Sequence, residues 1–329
     1  MDGHLILTGG TITDPDRDTI ERAVRERRVR WLDLHDSGPE TVSVLRDVFG
    51  FHPLAVEDAL EFGQRPKVEL YDDFTFLVAY GAPVADAGPA ARPDPQEVHC
   101  FYSEQYLVTV HRGEVAAVSA VCEAMQRRHA SDQPSTLLAL YRVLDGLVDS
   151  MFPYLSAFDD RIDTLQERIF TKPAQQDLAA MFAMKRELVE VRRVVTPQRD
   201  MMTAIIADRV DLPGMTRDME HYFRDLYDHL IRISDLVDSY RDLLSGTMDA
   251  YLSMTSNRLN GVMKQLTVIA TVFLPLTFLT GFFGQNFGWM TDRITSFGDF
   301  AGYGLGTEAV AVIALFLLFW RRGWLAGSA

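Results

Sequence analysis

The chain has 329 residues and carries 46 acidic against 32 basic side chains, a net charge of −14. Such a field repels nucleic acid and concentrates small cations. Only two cysteines occur, Cys100 and Cys122, neither in CxxC spacing; this excludes a disulfide scaffold or a Cys-based zinc site and fits a reducing compartment.

The N-terminus shows no basic segment followed by an apolar run, so no signal peptide is expected. Residues 1–132 read as a mixed α/β domain. Val29–Leu34, Lys67–Tyr71, Phe74–Tyr80, Glu97–Tyr102 and Tyr106–His111 are short, β-rich and bounded by polar, Gly or Pro residues. Pro39–Phe49, Leu54–Phe62 and Glu114–His129 have helical texture, and Ala82–Pro95 reads as a surface loop.

Residues 133–215 change to long helices. Pro134–Phe170 carries apolar residues at helical spacing, and Thr171-Lys172-Pro173 interrupts it. Gln176–Ala207 is a second helix, with Pro197 as a point of kink or break. Asp211-Leu212-Pro213-Gly214 is a turn. From Thr216 the pattern predicts one helix of about 60 residues, a stalk over 216–261 that continues straight into a membrane segment; a helix that long suits an oligomer rather than a compact fold. Asp228, Asp235, Asp242 and Asp249 repeat every seven residues on one face. The plain reading of that row is a solvated face. The sharper one is a set of carboxylates at a vestibule or subunit boundary, open to divalent cations.

Gln265–Thr291 contains no charged side chain over 27 residues. As a helix it would reach about 40 Å, enough to cross a bilayer. An inner transmembrane helix is expected over 262–283, then an extracytoplasmic loop over 284–301 that opens on Gly284-Gln285-Asn286. Stepping back from Asn286 by three or four residues gives one stripe: Gly281, Thr277, Leu274, Ala270, Leu266, Met263 and Asn260. A mostly apolar stripe lining a pore would gate by dewetting; packing against other helices is the alternative. A filter for a hydrated Mg²⁺, which gives up water reluctantly, needs neutral oxygens around a wide opening. Asn286 amides and backbone carbonyls freed by Gly284 would supply them, but only as a ring from a symmetric oligomer.

An outer helix is expected over 302–320, inside an apolar stretch, Phe300–Trp320, whose single charge is Glu308. Near the outer interface that acid reads as a snorkelling or helix-facing residue. Arg321 and Arg322 follow in the tail, residues 321–329, and Arg258 and Lys264 flank the first segment. The positive-inside rule then puts both termini in the cytoplasm. Enzyme chemistry finds no support. Gly302–Gly306 follows no predicted strand, no Gly-Lys-Ser/Thr loop is present, and the eight histidines lack metalloprotease spacing, so each reads as a surface or packing residue.

The stretch YRDLLSGTMDAYLSMTSNRLNGVMKQLTVIATVFLPLTFLTGFFGQNF, together with HPLAVEDALEFGQRPKVELYDDFTFLVAYG upstream, resembles the CorA-type divalent-cation channels. The resemblance covers nearly the whole chain. It implies a funnel-shaped homopentamer in a bacterial inner membrane, with an αβα cytosolic domain, a long stalk helix and two membrane helices per subunit. It implies transport of Mg²⁺, with Co²⁺ or Ni²⁺ as further substrates, through a filter at Gly284, Gln285 and Asn286 and an apolar neck that includes Met263, Leu266 and Leu274. It also implies regulatory Mg²⁺ held between subunits by Asp225 and an acid of the Ala82–Pro95 loop, Asp86 or Asp94, with Asp249 a further stalk acid. Two positions depart from the family pattern: Gln285 stands where the family has Met, and Gly288-Trp289-Met290-Thr291 replaces its acidic Met-Pro-Glu-Leu loop. A Zn²⁺ transporter on the same scaffold, coupled to protons, is the alternative.

Overall fold

Seven strands within the first 111 residues build one sheet, whose central strands are buried on both faces. The computed structural model describes residues 1–8, 10–83, 94–127, 135–285 and 287–322, and these fall into two compact units, Met1–Met248 and Asp249–Ala329. In the first unit the strands are β1 (Gly3–Leu7), β2 (Gly10–Thr13), β3 (Val29–Leu34), β4 (Lys67–Leu70), β5 (Thr75–Pro83), β6 (Pro95–Tyr102) and β7 (Leu107–His111), in the order β2-β1-β3-β7-β6-β5-β4. The described neighbours pair antiparallel except β3 and β7, which are parallel. Five of these strands match the sequence expectation within a few residues. The β1–β2 hairpin and helix α1 (Arg17–Arg25) carry no expectation from sequence. They are short, and α1 starts on a local cap in which Asp16 accepts from the Thr19 N–H at 2.8 Å.

Helices lie on both faces, so the expected αβα layering is present. One face holds Phe76, His99 and Phe101 under Phe51, Phe62 and Phe74, whose rings meet at 4.3–5.9 Å. Near it run α2 (Pro39–Ser43), which passes into a π-helical turn over Val44–Val48, and α3 (Pro53–Leu60). The other face is covered by α4 (Ala116–Gln126) and α5 (Thr136–Asp149). Gly81 lets α5 approach the strand: a Cβ there would lie 3.0 Å from the Leu147 side chain and 3.1 Å from Ser150 Oγ.

The single helix expected over Pro134–Phe170 is two, α5 and α6 (Met151–Thr171). The break falls at Ser150, whose hydroxyl donates to Leu147 O and accepts from the Ala82 N–H at 2.8 Å. Tertiary bonding to the end of β5 wins over helix continuity. By contrast α7 (Gln175–Ile206) runs unbroken through a buried Pro197. The turn between α6 and α7 closes on Asp177, which accepts from Arg168 and from the Ala174 N–H. Arg161 forks onto Glu187 at 2.7 and 2.8 Å across the same pair.

Helix α8 runs from Arg217 to Phe283. Its buried residues are Met219, Phe223, Leu226, Leu230, Ile233, Val237, Tyr240, Leu244 and Thr247. Steps of four and three make this a heptad seam. Phe158 of α6 meets Tyr240 at 5.9 Å, and Gln166 donates to Thr247 at 2.9 Å. In the second unit the chain after α8 forms short turns α9 (Gly288–Thr291) and α10 (Phe297–Asp299), a π-helical turn over Phe300–Leu305, and α11 (Gly306–Arg321).

The α5–β5 approach is testable. Gly81→Val should overpack it and destabilise the full chain by about 1–3 kcal/mol, read as a lower urea midpoint in detergent. An unchanged midpoint would mean that α5 is not seated on this strand.

Candidate ion pathway and cation cluster

The second unit holds the expected pathway residues. Its two helices are long and apolar enough to cross a membrane, and the most apolar stretch of α8 holds no buried residue. Met263, Leu266 and Leu274 are 53%, 59% and 73% exposed, and Asn260, Ala270, Thr277 and Gly281 are exposed with them. A different stripe, with Val268, Thr271, Val272, Pro275, Leu276, Leu279 and Phe283, is half-covered. The expected pathway stripe lies within a broader uncovered face that also carries Ile269, Phe273, Phe278 and Phe282. Glu308 Oε1 of α11 lies 2.8 Å from Thr280 Oγ1 of α8, so the lone acid of the outer helix faces its neighbouring helix.

Threonine hydroxyls on α8 fold back onto the helix. Thr267 and Thr277 donate to the carbonyls of Met263 and Phe273 at 2.7–2.8 Å, while the Thr280 hydroxyl, with one proton, lies 2.8 Å from both Leu276 O and Glu308 Oε1. This satisfies polar groups that hydrocarbon could not. At the end of α8 the N–H of Gly284 donates to Thr280 O at 3.0 Å and that of Gln285 to Phe282 O at 3.3 Å. Gly284 and Gln285 are exposed; Asn286 lies outside the described residues.

The first unit holds a second constellation. Asp145 and Asp149 lie one turn apart on α5, and Asp225 and His229 one turn apart on α8. His229 Nδ1 is 3.4 Å from Asp149 Oδ1, and its Nε2 is 3.9 Å from Asp225 Oδ1. Ligand atoms of Asp145, Asp149 and His229 all lie within 4.8 Å of one another. Asp145 Oδ1 and His229 Nδ1 are buried atoms without a hydrogen bond. Burial, reinforced by the Asp149 charge, raises the Asp145 carboxyl above its ordinary value, against the pull of Tyr141 and His229. Burial and the same Asp145 charge push the Tyr141 phenol up. Carboxylates that repel one another around orphaned ligand atoms suit a bound cation: the oxygens serve a hard dication and the imidazole a borderline one.

Of the expected regulatory acids, Asp225 borders this cluster, 3.9 Å from His229 Nε2, but is not one of the three residues whose ligand atoms converge. Asp94 and Asp249 are exposed and fall in no group of potential ligands among the described residues. Asp94 borders instead a cavity of about 930 Å³ with Arg112, Arg192 and Arg193. Asp86 lies outside the described residues. Sequence reasoning missed Asp145 and Asp149 and took His229 for a surface or packing residue. The available signal was two i,i+4 pairs, Asp145/Asp149 and Asp225/His229, on adjacent helical faces.

Residues 26–322 match the family model described as CorA-like Mg2+ transporter protein. The chain belongs to this CorA-like family. It is 33% identical over 297 residues to the cobalt/magnesium transport protein CorA of Thermotoga maritima, covering 87% of this chain and 80% of that protein. It is 26% identical over 317 residues to the zinc transport protein ZntB of Yersinia enterocolitica, covering 95% and 91%. The complete CorA magnesium transporter structure from Methanocaldococcus jannaschii superposes with a TM-score of 0.78 at 19% identity, covering 98% of each chain, which supports a shared fold. CorA-like proteins are membrane ion transporters rather than enzymes, in line with the two uncovered apolar helices of this chain.

The cluster makes a directional prediction. A raised Asp145 carboxyl favours its neutral form, so its contribution to stability is full below the ordinary carboxylate pKa and is lost as pH rises through the raised value. At neutral pH, Asp145→Asn should therefore raise the metal-free melting temperature. Mg²⁺ at about 100 times its dissociation constant should stabilise the wild type by about 2.7 kcal/mol and the variant by little of that. An equal Mg²⁺ increment in both proteins would remove the cation from this cluster.

Proposed function

We propose that this CorA-like transporter is a homopentameric channel for Mg²⁺, with Co²⁺ and Ni²⁺ as lesser substrates, and that its pathway is the exposed stripe from Asn260 to Gly281 crowned by Gly284, Gln285 and Asn286. The observation that carries the reading is the uncharged run at the end of α8, exposed along that stripe and joined to a Gly-Gln-Asn sequence. An exposed apolar stripe needs lipid or other copies of the chain to cover it, and one chain cannot surround an ion. A closed ring supplies both cover and pore. Hydrated Mg²⁺ would meet amide and carbonyl oxygens at the mouth and then a neck of Leu274, Leu266 and Met263 that conducts only when wetted.

Cytosolic Mg²⁺ would close this channel by binding at the Asp225 cluster. A ligand shifts a two-state equilibrium only through differential affinity. Separated subunits would leave Asp145, Asp149 and Asp225 with their mutual repulsion, whereas an ion shared with a neighbouring copy relieves it. The membrane is the inner membrane of a bacterium, with both termini in the cytoplasm. The domain limits follow the same reading: 1–132 for the α/β domain, 133–215 for the long helices, 216–261 for the stalk, 262–283 and 302–320 for the membrane helices.

A second reading rests on Gln285 and on the likeness to a zinc transport protein: the same scaffold carrying Zn²⁺ with protons. Flux into liposomes separates the two. Mg²⁺ uptake should be robust and independent of an imposed pH gradient. Zn²⁺ uptake that follows the gradient, without Mg²⁺ uptake, would establish the second reading instead. Asn286→Ala should lower Mg²⁺ flux at least tenfold while native mass spectrometry still shows a pentamer. Undiminished flux would overturn the filter, and another stoichiometry would overturn the fivefold ring.

A further inference from the structure

The face of the sheet under α4 carries a polar group that ion passage does not use. The register places His4 of β1 beside Asp33 of β3, and Asp33 beside Thr109 of β7. His111 ends β7, and His35 follows β3. Asp33 and His111 are buried, and the His35 side chain is 15% exposed. Gly3 permits the tight approach, since a Cβ there, at φ +153°, would sit 2.0 Å from Asp33 O.

Proton counting around Asp33 leaves a deficit. Trp31 Nε1–H donates to Thr109 Oγ1 at 2.8 Å, and the Thr109 hydroxyl donates to Asp33 Oδ1 at 2.5 Å. His111 Nδ1 lies 2.7 Å from Gly113 O, an oxygen that can only accept, so Nδ1 holds the ring proton. In the neutral imidazole Nε2 is then bare, and it points at Asp33 Oδ1 from 3.0 Å. At His35, Nε2 is 2.9 Å from Asp33 Oδ2 and Nδ1 is 3.5 Å from the exposed Asp2 Oδ1, so this ring can donate through Nε2 while neutral. Two imidazoles thus turn Nε2 toward one carboxylate. At His111 either a cation or an added proton must fill the gap.

We propose that Asp33, His35 and His111 bind a borderline transition-metal dication of the Zn²⁺ and Co²⁺ class, in a site separate from any that holds Mg²⁺. Potential ligand atoms of the three residues all lie within 4.8 Å of one another. Two imidazole nitrogens and a carboxylate suit such metals, whereas Mg²⁺ takes oxygen ligands. The second shell is in place, with Gly113 O fixing the His111 tautomer, Asp2 behind His35 and Thr109 on Asp33. An independent observation is His4, whose Nδ1 is buried without a partner. It lines, with Asp2, His35, Cys122 and Glu123, a cavity of about 490 Å³ that reaches the cluster through His35 and provides a way in. The inference does not depend on which ion the pore carries.

Co²⁺ is the probe. The full chain in detergent, stripped with EDTA and held in millimolar Mg²⁺, should bind one Co²⁺ per chain with the strong visible bands of a four- or five-coordinate, imidazole-ligated ion. His35→Asn and His111→Gln should each weaken that binding at least 100-fold, while His229→Asn keeps the bands. Because His111 is buried, far-UV circular dichroism confirms that its variant folds, and His35 at the cavity rim is the milder test. Bands that persist in both variants, bands lost only in His229→Asn, or no such Co²⁺ binding by the wild type would overturn the site; the last result would mean that protons fill the gap at Asp33.

Discussion

Burial along α8 ends at Thr247, and much of the remaining architecture follows from that. From Met219 to Thr247 a heptad seam packs into the helical layer of the first unit. Beyond it the helix continues to Phe283 while its residues turn outward, and they become more apolar rather than less. A helix whose side chains are apolar all round is stable where its surroundings are apolar too. Water does not provide that, whereas the hydrocarbon of a bilayer does. Thr267 and Thr277 respond to the same requirement: with hydroxyls returned to carbonyls of their own helix, they present mainly methyl groups outward.

Long-range periodicity was legible in the sequence, and short-range tertiary bonding was not. The long helix was readable because its apolar steps are regular, although Gly246, Gly261 and Pro275 lie within it. The five strands were readable from β-branched and aromatic runs between turn residues. The break at Ser150 was invisible, since it depends on Ala82, a residue far away in the chain that needs an acceptor. The continuity through Pro197 was equally hidden, because packing around a buried proline maintains a helix that local propensity would interrupt. At the candidate cluster, Asp225 could be reached through family likeness. Asp145, Asp149 and His229 required knowing that α5 and α8 lie side by side. A histidine read alone has no neighbours, and its chemistry is set by them.

The two clusters of the first unit differ in what they ask of an ion. Around Asp225 the groups are mostly carboxylates, half-buried or exposed, with charges that repel. A hard dication that keeps part of its water shell can enter such a site and leave it as its concentration changes, which suits a sensor. Around Asp33 the carboxylate is buried, accepts from the Thr109 hydroxyl and faces the Nε2 atoms of His111 and His35. That carboxylate is fixed by Thr109, Thr109 by Trp31, and His111 by Gly113. Preorganised imidazoles discriminate by ligand type rather than by charge alone. Metals that bind nitrogen and metals that bind oxygen would therefore meet different residues in this chain, and an oxygen-seeking dication drawn to the first cluster would not compete for the second.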